Sequence, residues 1–180
     1  MTITAILLGL LLLGFARSRF LSFSSQKPAY YAGSTPEFSL KDHLNGPILC
    51  EGIIYGPTGN VATSFVAKME GKWEGNKGTL SEDFAYSNGR TQLRMWHLEM
   101  GEGGSFTARA DDIIGVGSGT VSGSTAMLKY TIELPGEAGG HRLDVTDWMY
   151  LTENGTIMNR SEMRKFGFKV AELVATMRPQ

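Results

Sequence analysis

Along most of this chain apolar and polar side chains take turns, one residue at a time. In 126–134, Ala126, Leu128, Tyr130, Ile132 and Leu134 share one parity, while Lys129, Thr131 and Glu133 take the other. Val61, Phe65, Ala67 and Met69 stand opposite Ser64, Lys68 and Glu70, and Leu143, Val145, Met149 and Leu151 form a third apolar row. A strand sends successive side chains to opposite faces, so a period of two means strands with one apolar face. Further candidate strands span 48–55, 79–86, 90–100, 105–114, 156–166 and 168–177. Turn dipeptides separate them: Gly59-Asn60, Asn88-Gly89, Gly103-Gly104, Gly139-Gly140 and Asn154-Gly155. The 23 glycines are scattered as such turns require, with no low-complexity tract. Roughly nine or ten strands at hairpin spacing predict an all-β antiparallel meander. A sheet that closes into a β-barrel covers its single apolar face without a second layer; a two-sheet sandwich is the open alternative.

The N-terminus is a different object. Ile3 to Ala16 is almost wholly apolar, roughly 14 residues or about 21 Å of helix. That is shorter than a hydrocarbon core and suits a signal peptide or a membrane anchor. Gly14-Phe15-Ala16 offers a small-residue cleavage site, yet Arg17 and Arg19 follow the run and no Lys or Arg precedes it. Three segments result: 1–21 as signal peptide or anchor forming an apolar helix, 22–35 as a Ser/Gln/Pro/Gly-bearing linker, and 36–180 as the barrel domain. Ser39-Leu40-Lys41-Asp42 has a capping-box-like start and predicts a short helix before the barrel, ending at Asn45-Gly46-Pro47. The expected location is the inner membrane, with the domain facing the periplasm.

A net charge of -1, with no run of Lys or Arg beyond two residues, gives no electrostatic case for nucleic acid. One cysteine, Cys50, excludes an intramolecular disulfide, and His43, His97 and His141 lack metal-ligand spacing, so neither a metal nor a cofactor is expected. Gly115-Val116-Gly117-Ser118-Gly119 fits neither a dinucleotide fingerprint nor a nucleophile elbow and reads as a kink or bulge in a strand.

Charges that share parity with apolar residues are the chemical signal. Glu82 falls with Leu80, Phe84 and Tyr86; Asp112 with Phe106, Ala108, Ala110 and Ile114; Asp147 with Leu143, Val145, Met149 and Leu151; Glu172 with Phe168, Val170 and Val174. Arg94 aligns with Trp96 and Leu98, and Arg160 with Met158 and Phe166. Asp147-Trp148-Met149-Tyr150 followed by Asn159-Arg160 sets acid, amide and guanidinium among large apolar groups. Inward ions need partners, because isolated buried charge is too costly. Three readings stay open. The ions form a self-satisfied core network; or Glu82, Arg94, Trp96, Asp112, Asp147, Trp148, Asn159 and Arg160 line a ligand pocket; or a desolvated carboxylate, Asp147 or Glu82, works as acid or base. A one-residue bulge would reverse any of these faces.

An ordered set of motifs runs through the globular part: Gly71-Lys72-Trp73-Glu74-Gly75, Leu80 to Tyr86, Arg94-Met95-Trp96, Ala110 to Gly115, Asp147 to Tyr150, Asn159-Arg160, Met163 and Lys165-Phe166-Gly167. In these the chain resembles a family of bacterial envelope proteins, often lipoproteins, classed as a domain of unknown function. The resemblance implies a lipocalin-like barrel and carries no established activity or catalytic residue. Its members tend to be encoded beside fatty-acid-modifying enzymes, which implies a lipid-like ligand. Members often carry a lipobox cysteine, and this chain has none near residues 14 to 25, so the apolar segment itself is the expected tether. The expectation is therefore a membrane-tethered barrel that binds a lipid-like or other small amphiphile. The alternatives are a lyase, hydratase or isomerase on such a substrate, or an interaction protein with a filled barrel.

Overall fold

The computed structural model describes residues 3–136 and 139–180, and the side chains at 4 and 15–19 lie outside the description. That leaves out most of the expected cleavage site and the side chains of Arg17 and Arg19. Among the described residues ten antiparallel strands close into one barrel, each paired with its neighbours in chain order and the first with the last. They are β1 (Gly46–Tyr55), β2 (Val61–Glu74), β3 (Lys77–Tyr86), β4 (Thr91–Met100), β5 (Ser105–Arg109), β6 (Ile113–Ser122), β7 (Thr125–Glu133), β8 (Arg142–Leu151), β9 (Ile157–Lys165) and β10 (Phe168–Pro179). Closure is made by β1 against β10, from Ile48 opposite Pro179 to Tyr55 opposite Glu172. Closure leaves no edge in this sheet to pair with another chain.

The five turn dipeptides sit where expected. Gly59, Gly89, Gly103, Gly104, Gly139, Gly140 and Gly155 all have positive φ, which tight hairpins demand and side-chain-bearing residues resist. The stretch 105–114, expected as one strand, is the whole of β5 and the start of β6. β6 runs on through 115–122, and the register between β6 and β7 shifts between Ile114 and Ser118, a bulge at the glycine-rich segment. Gly119 faces inward, where an added Cβ would lie 2.1 Å from the Phe106 ring. Glycine here makes room for that aromatic.

One end of the barrel is plugged. A single helical turn, α2 (Leu40–His43), starts at Ser39, whose Oγ accepts from the Asp42 N–H at 3.3 Å. It drives Leu40 and Leu44, both almost fully buried, into that end. Trp73 Nε1 donates to the Leu44 carbonyl at 2.8 Å, and a Cβ at Gly71 would strike the same carbonyl. Hydrophobic burial there is dense.

Residues 22–35 pack along the outer wall of the barrel. They form two 3-10 turns, Phe23–Ser25 and Pro28–Tyr31, and Ser34 Oγ meets Ser124 Oγ at 2.8 Å. Preceding them, residues Ile3–Phe20 form a helix, α1, on which Ile6, Leu7, Leu8 and Leu10 to Leu13 are exposed. Among the described residues no helix is long and apolar enough to cross a membrane.

Candidate functional site

Away from the plug the barrel is hollow. A cavity of about 370 Å³ lies inside it, within the range of small-molecule sites. Its lining reaches Ile54, Tyr86, Gln92, Leu134, Met163 and Ala171, residues beside the hairpin turns opposite α2, so the cavity extends towards that end. Apolar walls come from Phe65, Phe84, Leu128, Met149 and Leu173.

Of the eight residues singled out by parity and motif, six line this space: Glu82, Arg94, Trp96, Asp112, Asp147 and Asn159. Glu82 and Arg94 are opposite each other on β3 and β4, and Asp147 on β8 stands opposite Ser161 on β9. Arg94 Nε donates to Asp112 Oδ1 at 3.0 Å; its NH2 nitrogen is also 3.0 Å from that oxygen but makes no well-angled hydrogen bond. The same guanidinium lies 4.0 Å from the Trp96 ring centroid. Asp147 Oδ1 accepts from Ser161 Oγ at 2.6 Å and from Asn159 Nδ2 at 2.5 Å. Glu82 is 8% exposed, and its Oε2 has no hydrogen-bond partner. A buried carboxylate oxygen left unmatched is uncommon, and marks either a group that faces a ligand or a stored cost.

Electrostatics follow from that arrangement. Burial pushes the Glu82 carboxyl up to about 7, offset in part by the Arg94 guanidinium and a hydrogen bond from the Trp96 indole, with Asp147 and Asp112 adding to the rise; Oε2 remains the oxygen without a partner. Asp147 is also raised, because burial outweighs the hydrogen bonds from Ser161 and Asn159. Burial, then the charges of Glu82 and Asp147, lift the Cys50 thiol to about 12, so it is an inert wall residue. Tyr130, which faces Arg94 across the barrel, is raised chiefly by burial. No cluster able to hold a metal ion occurs among the described residues.

Trp148 and Arg160 are not part of this lining; they stand on the outer wall. For Arg160 and Glu172 the parity is as expected and the face is the opposite one; Trp148, next to the inward Asp147, falls on the outer row by the alternation itself. On β9 and β10 the inward rows are Ile157, Asn159, Ser161 and Met163, and Ala171, Leu173, Ala175 and Met177. The outward rows carry Met158, Arg160, Phe166, Phe168 and Glu172. Outside, Arg160 Nε donates to Glu172 Oε1 at 2.7 Å, Lys169 Nζ to Glu172 Oε2 at 2.6 Å, and Arg164 to Glu162 Oε2 at 2.7 Å. Trp148 is 1% exposed because Tyr31 of the N-terminal segment covers it, ring centroids 5.4 Å apart, while Phe23 lies under the Arg160 guanidinium at 4.4 Å. Gln26 Oε1 accepts from the hydroxyls of both Tyr31 and Tyr150, tying the segment down.

Polar lining residues outside the expected set include Ser161, Tyr130 and Gln92. Ser161 shares parity with Asn159, and Tyr130 sits in the apolar row of β7, so the same alternation identifies both once their hydroxyls are counted as polar groups.

The family described as a protein of unknown function (DUF3833) matches residues 18–179. The chain belongs to that family. A comparison with curated proteins finds no match. Among solved structures the barrel is similar to the S-type phycobiliprotein lyase CPES from Guillardia theta, with TM-score 0.59 and 9% identity over 77% of this chain and 89% of that one. It is similar as well to Rv2717c from M. tuberculosis, with TM-score 0.57 and 14% identity over 82% of this chain and 99% of that one. These neighbours place this DUF3833 chain in the lipocalin-like barrel fold. At such identities the likeness is one of fold.

Proposed function

We propose that the barrel is a binding module for a small, lipid-like amphiphile. Its apolar part lies on Phe84, Met149 and Leu173, and its polar end meets Glu82, Arg94, Asp147 and Asn159. The observation that carries this reading is the unpartnered Glu82 oxygen in the wall of a largely apolar cavity. A cavity of this size also speaks against a purely structural barrel packed with its own side chains. Trp148 and Arg160 support the site from outside by holding the wall under residues 22–35, without touching the ligand. The fold agrees, since one neighbour is named a phycobiliprotein lyase. The test is native mass spectrometry of the full chain purified from its own membranes in mild detergent. A bound mass that urea releases is expected; repeated purification with nothing bound, and no uptake of a neutral apolar fluorophore, would end the proposal.

One observation favours a second reading. A carboxyl poised near 7 on a cavity wall suits a general acid or base, as a lyase, hydratase or isomerase acting on such a ligand would need. Under that reading Glu82→Gln abolishes turnover of the bound compound while leaving its binding measurable.

We also infer that residues 1–21 tether the domain to the inner membrane, with the barrel in the periplasm. The exposed leucines of α1 support this, since no surface among the described residues covers them. Fractionation of the full chain beside one lacking 1–21 tests it: the first should pellet with membranes and resist carbonate, the second should not.

A further inference from the structure

We propose that the polar end of the ligand is a protonated amine held by Glu82, and not a carboxylate; the inference rests on the amphiphile reading above. The charge inventory of the cavity leads to it. Four carboxylates, Glu82, Asp112, Glu133 and Asp147, and one guanidinium, Arg94, border the space; Glu133 is exposed and paired with Arg142, which leaves three inner carboxylates and an excess of two negative groups when all are ionised. The guanidinium is already engaged. Asp112 takes its Nε and lies 3.0 Å from its NH2, while its face covers Trp96. A carboxylate brought to Arg94 would therefore meet a neutralised cation with Glu82 and Asp112 beside it, in a site where each uncompensated negative charge is costly.

A cation meets the opposite situation. Glu82 is nine-tenths buried and presents an oxygen with no donor, and an ammonium supplies three donors. Such a charge-assisted hydrogen bond is among the stronger ones a protein makes. Further along the wall Phe84 and Tyr86 stack with ring planes 12° apart, and aromatic faces attract cations. The groups facing Glu82 are Arg94 on β4, Asp112 before β6, Tyr130 on β7, Asp147 on β8 and Cys50 on β1, and of these Arg94 alone opposes a cation. The affinity for an amine should also weaken as pH falls through the range where Glu82 takes up its proton.

Three chain-matched probes decide the matter: dodecylamine, dodecanol and dodecanoate. Each is used below its micelle-forming concentration to displace a neutral fluorophore from the full-length protein at pH 8. Dodecylamine should bind about tenfold tighter than dodecanol or more, and dodecanoate weakest. At pH 5.5 the amine should lose most of that advantage over dodecanol, and in Glu82→Gln the ratio of amine to alcohol affinity should fall to near one at both pH values. Dodecanoate equal to or tighter than the amine would overturn the inference and leave the amphiphile reading standing. An alcohol as tight as the amine would overturn the cationic assignment. No displacement by any of the three would sink the amphiphile reading itself.

Discussion

The inner ionic cluster, on β3, β4, β8 and the turn before β6, and the outer one, on β9 and β10, use similar residue types and reach opposite outcomes. Outside, Arg160, Lys169 and Glu172 bind one another directly, and Glu172 lies below its usual carboxylate value although burial opposes this: the hydrogen bonds from Lys169 and Arg160, with their charges, prevail. Inside, Glu82, Arg94, Asp112 and Asp147 share one guanidinium, and Glu82 and Asp147 are raised chiefly by burial. Water and long, half-exposed side chains let the outer set settle its charges. The inner set is enclosed, so it retains an unsatisfied oxygen.

The largest expected effect comes from removing the shared cation. Arg94→Met should cost about 3–5 kcal/mol at pH 8, since it leaves buried carboxylates uncompensated. Urea melts should show part of that loss recovered at pH 5, where Glu82 takes up its proton. Full stability at pH 8 would mean that the cavity is wetter than its burial implies.

Next is the pH dependence of Glu82. Its folded value, near 7, lies above the ordinary 4.5, so the folded state binds the extra proton and stability falls as pH rises between those values. The penalty above pH 7 is roughly 3 kcal/mol, because each tenfold change in proton affinity corresponds to about 1.4 kcal/mol. Glu82→Gln should therefore raise the melting temperature at pH 8 and flatten the slope between pH 5 and 7. A variant less stable than the parent at pH 8 would show that the carboxylate is satisfied after all.

Asp147→Asn comes third. It deprives the donors of Ser161 and Asn159 of a charged acceptor, a loss of about 1–3 kcal/mol in a denaturant melt at pH 8. The smallest effect belongs outside. Glu172→Gln should cost about 1 kcal/mol or less and fade in high salt, as partly exposed ion pairs do. Its contribution has the opposite pH sense: the depressed value means the stability is present above 4.5 and lost as pH falls further. If the outer variant proved as costly as the inner ones, the contrast between the clusters would collapse.

Much of this was legible in the chain. Strand positions, the five glycine turns and the inward parity of Glu82, Arg94 and Asp147 follow from alternation; Asp112 reaches the cavity from the turn between β5 and β6, where no strand parity applies. Two matters did not. β6 was hidden because Gly115, Gly117 and Gly119 carry no side chain to alternate, although Gly119 faces in for the very reason that Phe106 fills its space. The inner face of β9 and β10 was misjudged because Met158, Phe166 and Phe168 make their outer rows look apolar, while Asn159 and Ser161 make an inner row look polar.

By itself the sequence determined that strands form, where they turn, and that each carries two unlike rows, because those depend on neighbours one or two residues away. Which row turns inward on β9 and β10 was settled only in three dimensions, where Phe23 covers Arg160 from outside, as Tyr31 covers Trp148 on the adjoining β8. So was the shortage of cations around Glu82, since charge balance in a cavity is a sum over strands far apart in the chain.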